Sequence, residues 1–219
     1  MILKDAIDHI LSTHSSRQPA KPTLTTTQVK EAITNLIASY ETRQSTKITL
    51  TIPQRQTLAD ISAWISGTPS TLDHTKGLYI YGPHGTGKTF ITEIIRELYR
   101  WIPGIPYQWI SYDDIYSSIR YNNNDEILKN LTYTQIIDDY AYQGRSLAKV
   151  YGNDDYVADL VISKLDRKIS GRPHRCIITS NYDPDFLRDS AIIHPGTYSR
   201  IKGLFNLVPW KSDDHRING

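Results

Sequence analysis

The chain has 219 residues, a formal net charge of +2, a hydrophobic share of 39% and a charged share of 22%. This composition suits one α/β domain with a small appendage, and the overall charge is too small to indicate nucleic-acid binding by itself. The single cysteine, Cys176, excludes an internal disulfide, and its place in an apolar run predicts a buried strand residue. Because no apolar run approaches the ~20 residues of a membrane span, we expect a soluble, cytoplasmic protein.

The first part of the chain reads as two amphipathic helices separated by a linker. Apolar residues recur at helical spacing from Ile2 to about Ser15, and a polar stretch with two prolines follows at residues 18–27. The apolar face of the second helix comprises Val29, Ile33, Leu36, Ile37 and Tyr40. Three roles are open for these helices: packing on each other, docking on the main domain, or binding a partner. We expect an N-terminal helical segment, residues 1–46, ahead of a main domain, residues 47–219.

From residue 47 onward, predicted strands alternate with helices, which is typical of a parallel, doubly wound α/β sheet. Strands are predicted at residues 48–52, 78–81, 107–110, 134–137, 175–179 and 205–208. Four helices are predicted between these strands. The first two include Leu58–Ile65 and Phe90–Leu98, the third runs from a cap at Asp113 or Asp114 to about Tyr121, and the fourth lies between Asp155 and Ile169.

A phosphate-binding loop lies between the second predicted strand and its helix. Residues 82–89 read Gly-Pro-His-Gly-Thr-Gly-Lys-Thr, a complete match to G-x-x-x-x-G-K-[ST] in the strand–loop–helix setting that the motif requires. Glycines let the backbone wrap a phosphate, the Lys88 ammonium would reach the β- and γ-phosphates, and the Thr89 hydroxyl would hold Mg²⁺. The expected ATP-binding residues are Gly82, Pro83, His84, Gly85, Thr86, Gly87, Lys88, Thr89 and Phe90.

Later strands end in polar residues that suit the same site. Ile-Ile-Asp-Asp at 136–139 is an apolar strand that ends in two carboxylates, the Walker B arrangement. We predict that Asp138 binds Mg²⁺ through water and that Asp139 orients or deprotonates the attacking water. Asp139 is shorter than a glutamate, which predicts slow basal hydrolysis. Thr-Ser-Asn at 179–181 ends the next strand, and Arg200 follows where an arginine finger would face a neighbouring subunit.

These motifs together resemble the DnaC/IstB-like branch of the AAA+ ATPases, which comprises bacterial and phage helicase loaders and the ATP-binding helper proteins of some transposons. The resemblance covers about residues 50–216. It implies a P-loop NTPase fold of the AAA+ type, with a parallel sheet sandwiched by helices and no C-terminal helical lid. It also implies ATP and Mg²⁺ as cofactors and an ATP-dependent homo-oligomer. By the same resemblance, Lys88 and Thr89 take the phosphate and Mg²⁺ roles, Asp138 and Asp139 the Walker B roles, Asn181 that of sensor 1, and Arg200 that of the arginine finger.

The resemblance further implies a partner and a nucleic acid. The partner would be a replicative helicase or a transposase, and single-stranded DNA would lie along the inner face of a spiral of subunits. The helix at 114–121 would face inward there and offer Tyr116, Arg120 and Tyr121, since aromatic rings and a cation suit a single strand. Asp-His-Arg at 214–216 loosely matches an Asp-x-Arg element that is common near the C-terminus of family members, and a nucleotide contact by Arg216 is left open.

Several alternatives to a helicase loader remain open at this stage. A transposition helper ATPase shares all of the motifs above. A superfamily 3 viral-type helicase shares the loop, the paired aspartates and the Thr-Ser-Asn element, but the helix that ends at Ile169 and the Ser-Arg-Ile element favour the loader branch. A small-molecule kinase would need an acceptor site and an arginine-rich lid. A switch that binds ATP to assemble and hydrolyses it rarely differs from the loader only in rate.

Overall fold

The computed structural model describes residues 24–100, 108–121, 126–131, 134–141, 157–169 and 174–211. Within these ranges the chain forms two compact units. The first unit comprises residues 24–72 and 93–100, and the second comprises residues 73–92 together with the described residues from 108 onward. The predicted helix at 2–15, the loop at 122–125, the start of the helix near Asp155 and the element at 214–216 lie outside the described residues.

Two capped helices dominate the first unit. Helix α1 spans Thr26–Gln44 and helix α2 spans Ile52–Ser66. Each begins with a capping box, in which a threonine hydroxyl and a glutamine side chain accept each other's backbone N–H groups. Thr25 and Gln28 form this pair at α1.

The predicted strand at 48–52 is wrong, because Thr51 and Gln54 cap α2 and its first turn begins at Ile52. The alternating Ile48, Leu50 and Ile52 look like a strand in the sequence, but Pro53 lies in the first helical turn, where its fixed φ and missing N–H are tolerated. Residues 46–50 have no regular secondary structure. Local capping therefore prevails over the period-2 pattern.

Helix α1 turns an apolar stripe inward, as predicted. Val29, Ile33 and Leu36 are buried, whereas Ile37 and Tyr40 are half-buried. The Thr26 hydroxyl at its first turn lies 2.9 Å from that of Ser66 at the end of α2. A cavity of about 580 Å³ lies beside the two helices, and its apolar lining includes Ile33, Ile37, Ile48, Leu50 and Leu58.

The second unit is built on a five-stranded parallel sheet. The strands are β1 (Gly77–Tyr81), β2 (Gln108–Ser111), β3 (Gln135–Tyr140), β4 (Ile177–Ser180) and β5 (Phe205–Pro209). Their spatial order is β2-β3-β4-β1-β5, and every neighbouring pair is parallel. The predicted α/β class with a parallel sheet is confirmed. Because parallel strands share one carboxyl edge, the residues that follow β1, β3 and β4 meet at the centre of that edge.

Six helices connect or flank these strands in the described part of the chain. They are α3 (Lys88–Arg100), α4 (Tyr112–Arg120), α5 (Glu126–Lys129), α6 (Val157–Ile169), α7 (Pro184–Asp189) and α8 (Pro195–Leu204). Helix α3 begins in the second unit and ends in residues of the first. Helix α4 packs on β2 and β3, and α8 packs on α6, α7 and β5. None of the helices in the described ranges is long and apolar enough to cross a membrane.

Two boundaries differ from the predictions for physical reasons. Helix α4 is capped by Ser111, whose Oγ accepts the N–H of Asp114 at 3.0 Å, so Asp113 and Asp114 lie in the first turn instead of at the cap. There their charges complement the positive end of the helix dipole. Strand β3 continues beyond Ile137 through both carboxylates to Tyr140, with an irregular register opposite β4.

A buried histidine fastens the amino end of the central strands. His174 Nδ1 accepts the N–H of Cys176 at 3.3 Å, and Nε2 donates to the carbonyl of Leu204 at 2.9 Å. Burial lowers the pKa of His174 to about 4, so the ring is neutral at physiological pH. Gly77 is required beside it, because a Cβ there would lie 2.3 Å from the Cys176 carbonyl oxygen. Cys176 is buried as predicted, and burial raises its thiol pKa to about 12.

Candidate functional site

The loop after β1 has the backbone geometry of a phosphate cradle. Gly85 and Gly87 adopt positive φ angles of 74° and 87°, a region that favours glycine because it has no Cβ. The Thr86 hydroxyl donates to the Pro83 carbonyl at 2.9 Å and closes the loop on itself. The loop leads directly into the first turn of α3, where the helix dipole favours an anion.

A tryptophan from the end of the sheet secures this loop. The Trp210 backbone N–H donates to the Tyr81 carbonyl at 2.7 Å, and its indole N–H donates to the Thr86 carbonyl at 2.7 Å. A Cβ at Gly82 would lie 2.2 Å from the Trp210 carbonyl oxygen, so only glycine fits there. Trp210 is not among the residues predicted from the sequence. Its place directly after β5, the strand that pairs with β1, is the signal that identifies it.

Lys88 lies at the centre of the site and is only 5% exposed. Its ammonium donates to the carbonyls of Gly82 and Pro83 at 2.8 and 2.7 Å, and to Asn181 Oδ1 at 2.8 Å. The loop lysine and the polar residue that ends β4 are therefore in direct contact. Of the remaining predicted loop residues, His84 is exposed and Phe90 is half-buried in the first turn of α3.

The Asp138 carboxylate lies behind the Thr89 hydroxyl. Thr89 Oγ donates to the two carboxylate oxygens at 3.3 and 3.2 Å. Thr179 Oγ donates to Asp138 Oδ1 at 2.5 Å. Burial raises the pKa of Asp138, and the hydrogen bonds from Thr179 and Thr89 oppose that rise.

Asp139 reaches the same edge of the sheet through an unusual backbone conformation. Successive residues of a regular strand point to opposite faces. Asp139 has φ 55°, in the left-handed region, and the register between β3 and β4 is irregular there. Its N–H donates to Thr179 Oγ at 2.9 Å, and its Oδ1 lies 3.5 Å from Asn181 Nδ2. Both predicted Walker B carboxylates are thus linked to the end of β4.

The hydroxyl and carboxylate oxygens at this edge of the sheet suit a Mg²⁺ ion that is bound together with a nucleotide better than a metal ion held by the protein alone. Within the described ranges, no group of three or more His, Cys, Asp or Glu side chains could hold a metal ion. Mg²⁺ is commonly held by one or two carboxylates together with phosphate oxygens and water. The Thr89 hydroxyl and Asp138 next to the loop match that mode of binding.

Arg200 lies apart from this cluster on α8. Its Nε donates to Asp166 Oδ2 on α6 at 3.1 Å, and 43% of its side chain is exposed. The structure therefore places the predicted arginine finger on the exposed face of α8, in an ion pair with Asp166.

One predicted DNA-contacting residue is wrong. Tyr116 is 6% exposed and belongs to the hydrophobic core of the second unit, so its ring faces cannot stack on bases. The error arises because α4 turns this ring toward the sheet that it packs on. Tyr121 is 72% exposed, its ring lies edge-on to that of Tyr116, and Arg120 is half-buried.

Comparisons with known proteins bear on the fold. No protein-family model matches the chain, and no curated protein sequence matches it. The crystal structure of the DnaC helicase loader is similar with a TM-score of 0.55 and 17% identity, over 75% of this chain and 94% of that one. A protein described as a putative primosome component from Streptococcus pyogenes serotype M3 is similar with a TM-score of 0.53 and 17% identity, over 74% of this chain and 81% of that one.

DnaA from Aquifex aeolicus, bound to AMPPCP, is similar with a TM-score of 0.51 and 16% identity, over 77% of this chain and 50% of that one. At such identities the likeness concerns the fold. The resemblance inferred from the motifs is confirmed at the level of the fold: the chain has an α/β P-loop NTPase fold similar to the structures of the DnaC helicase loader and of DnaA.

Proposed function

We propose that this protein is an AAA+ ATPase that acts in DNA replication as a helicase loader. The observation that carries the proposal is the convergence of Lys88, Thr89, Asp138 and Asn181 at one edge of the sheet, within a fold that the DnaC helicase loader shares. A lysine, a hydroxyl, a carboxylate and an amide in this arrangement suit the phosphates and Mg²⁺ of ATP.

ATP binding is proposed to use the loop and the start of α3. Backbone N–H groups from Gly85 to Thr89 would surround the phosphates, and Lys88 would share its donors between phosphate oxygens and the carbonyls that now hold it. Thr89 and Asp138 would hold Mg²⁺, which neutralises negative charge on the phosphates.

Hydrolysis is proposed to use the pair at the ends of β3 and β4. Asp139 would accept a proton from the attacking water or orient it, and Asn181 would hydrogen-bond that water or the γ-phosphate. The lysine–amide contact keeps Asn181 beside the phosphate loop. Because an aspartate reaches less far than a glutamate, we expect slow turnover in the isolated protein.

Assembly is proposed to complete the site. Arg200 lies on the exposed face of α8 and would enter the γ-phosphate site of a neighbouring subunit, where a guanidinium stabilises the charge of the transition state. In an unassembled subunit, the ion pair with Asp166 would keep the Arg200 side chain in one orientation. ATP-dependent oligomers would follow, since ATP lies between the subunits.

The proposed partner is a replicative helicase. The proposed nucleic-acid ligand is single-stranded DNA. Support comes from the fold shared with the DnaC helicase loader and with other replication proteins. We propose that residues 1–46 contact the partner while residues 47–219 form the ATPase domain. Tyr121 and Arg120 would contribute to the DNA surface, as one ring and one cation.

The experiment that tests the loader function is a recruitment assay. Single-stranded DNA is incubated with the host's replicative helicase, ATP and either the wild-type protein or Lys88→Ala, and bound helicase is measured. We expect the wild-type protein to increase the amount of helicase bound to the DNA, and Lys88→Ala not to do so. Unwinding of a duplex by this protein without added helicase would favour the superfamily 3 alternative, and recruitment that does not depend on this protein would contradict the proposal.

A further inference from the structure

We propose that the Thr179 hydroxyl is a positioning group that connects the two Walker B carboxylates, and that it sets both Mg²⁺ affinity and the rate of hydrolysis. This inference rests on the proposed ATPase function. Thr179 lies on β4, two residues before Asn181, and is fully buried between the strands that carry the site.

The hydroxyl of Thr179 makes two hydrogen bonds of opposite sense. It donates to Asp138 Oδ1 at 2.5 Å and accepts the backbone N–H of Asp139 at 2.9 Å. A hydroxyl has one proton to donate, so this geometry commits it to Asp138. One oxygen atom therefore contacts both residues of the Walker B pair.

The bond to Asp138 fixes the orientation of a carboxylate that must face Mg²⁺. Both oxygens of Asp138 remain within 3.3 Å of the Thr89 hydroxyl, the other expected Mg²⁺ ligand. Without the Thr179 hydroxyl, this buried carboxylate would lose a charge-assisted hydrogen bond and could rotate away from Thr89. Groups that orient metal ligands contribute to metal affinity although they do not touch the metal.

The bond to Asp139 stabilises a backbone conformation that an aspartate adopts rarely. The left-handed φ of 55° directs the Asp139 side chain toward Asn181. Because the Thr179 hydroxyl accepts the N–H at this residue, it opposes relaxation to a regular strand. Such relaxation would turn the carboxylate toward the opposite face and away from the attacking water.

The test compares Thr179→Val, which keeps the shape and removes the hydroxyl, with Thr179→Ser, which keeps the hydroxyl. Mn²⁺ binding to the protein with AMPPCP is measured by electron paramagnetic resonance, and ATP hydrolysis is measured separately. We expect Thr179→Val to weaken Mn²⁺ binding by about 10-fold and to lower kcat about 10- to 100-fold, with a small change in KM. Thr179→Ser should remain within a few-fold of the wild type.

A control separates this effect from the general cost of a valine in the core. Thr197→Val alters another buried threonine of the same unit, on α8, and should leave Mn²⁺ binding unchanged. If Thr179→Val does not fold, Thr179→Ala is compared with Thr179→Ser, because these two variants also differ only by the hydroxyl. Equal Mn²⁺ affinity and kcat with and without the hydroxyl would overturn the inference, and a wild type that neither binds nor hydrolyses ATP would overturn the ATPase function itself.

Discussion

Asp139 combines a strained backbone with the position expected of a catalytic base. Replacing it with asparagine keeps the size and hydrogen-bonding shape of the side chain while removing its basicity. We expect Asp139→Asn to bind ATP like the wild type and to hydrolyse it at least about 10-fold more slowly. Nucleotide affinity by calorimetry and phosphate release by a colorimetric assay measure the two effects. Loss of binding together with folding would instead assign Asp139 a structural role.

Trp210 gives the phosphate loop a support that is distant in sequence. Trp210→Phe keeps an aromatic ring and the backbone bond to Tyr81 but removes the indole donor to Thr86. A lost neutral hydrogen bond contributes roughly 1 kcal/mol, so we expect ATP affinity to fall several-fold while the fold is retained. Phe186→Leu, a conservative change at an exposed ring, serves as a control. An unchanged affinity for ATP in Trp210→Phe would show that the loop does not need this support.

His174 predicts a pH-dependent stability. The folded protein keeps this ring neutral down to about pH 4, whereas the unfolded chain takes up a proton near its ordinary pKa of 6.5. Between these values the unfolded state binds more protons, so the free energy of unfolding falls as the pH is lowered from about 6.5 to 4. The His174 contribution to this loss is at most roughly 3 kcal/mol, and stability above pH 6.5 is unaffected.

Urea unfolding at pH 7.5 and pH 5 tests this prediction in the wild type and in His174→Gln. We expect the wild type to lose more stability than His174→Gln over this interval, because glutamine does not titrate. His74→Gln, at an exposed histidine, should behave like the wild type. Equal pH dependence in wild type and His174→Gln would mean that folding does not lower the pKa of His174.

Helix α4 illustrates how an element decides which of its residues meet a ligand. Its packing on β2 and β3 buries Tyr116, while the residue after its end, Tyr121, is exposed. We expect the double change Arg120→Ala with Tyr121→Ala to weaken binding of a single-stranded oligonucleotide about 10-fold or more, and ATP binding to stay unchanged. Fluorescence anisotropy at two salt concentrations measures the affinity and its ionic component. Arg43→Ala, at the exposed end of α1, is the matched control, and an unaffected DNA affinity in the double variant would place the DNA elsewhere.

The sequence predicted the elements whose signals are local. The phosphate loop, the apolar strand before Asp138 and the stripe on α6 could all be identified within about a dozen residues, and each lies where it was predicted. The contacts of Thr179 and Trp210 could not be predicted, because their partners, Asp138 and Thr86, lie far from them in the chain and come close only in the folded protein. Short apolar runs near caps and prolines were misleading, as at residues 48–52.

At the scale of the whole molecule, the proposed mechanism needs two subunits for each site. Arg200→Ala subunits should bind ATP normally and hydrolyse it poorly, and Lys88→Ala subunits should lack a working site but keep their arginine. A mixture should recover part of the activity, because some interfaces combine an intact ATP site with an intact arginine. A finger supplied in trans can contribute roughly 10³–10⁵ in rate, so few such interfaces suffice. No recovery at concentrations where the wild type assembles would argue against action between subunits.

The proposed ATPase mechanism depends on ATP binding at the loop around Lys88. Titration of ATP with Mg²⁺ into the protein tests this binding by calorimetry. The wild type should bind one ATP per chain, and Lys88→Ala should bind at least about 10- to 100-fold more weakly, since a charged hydrogen-bond donor to phosphate is removed. Lys47→Ala, at an exposed lysine ahead of α2, should match the wild type. Equal ATP affinity in Lys88→Ala and the wild type, or no binding by either, would contradict the proposed site.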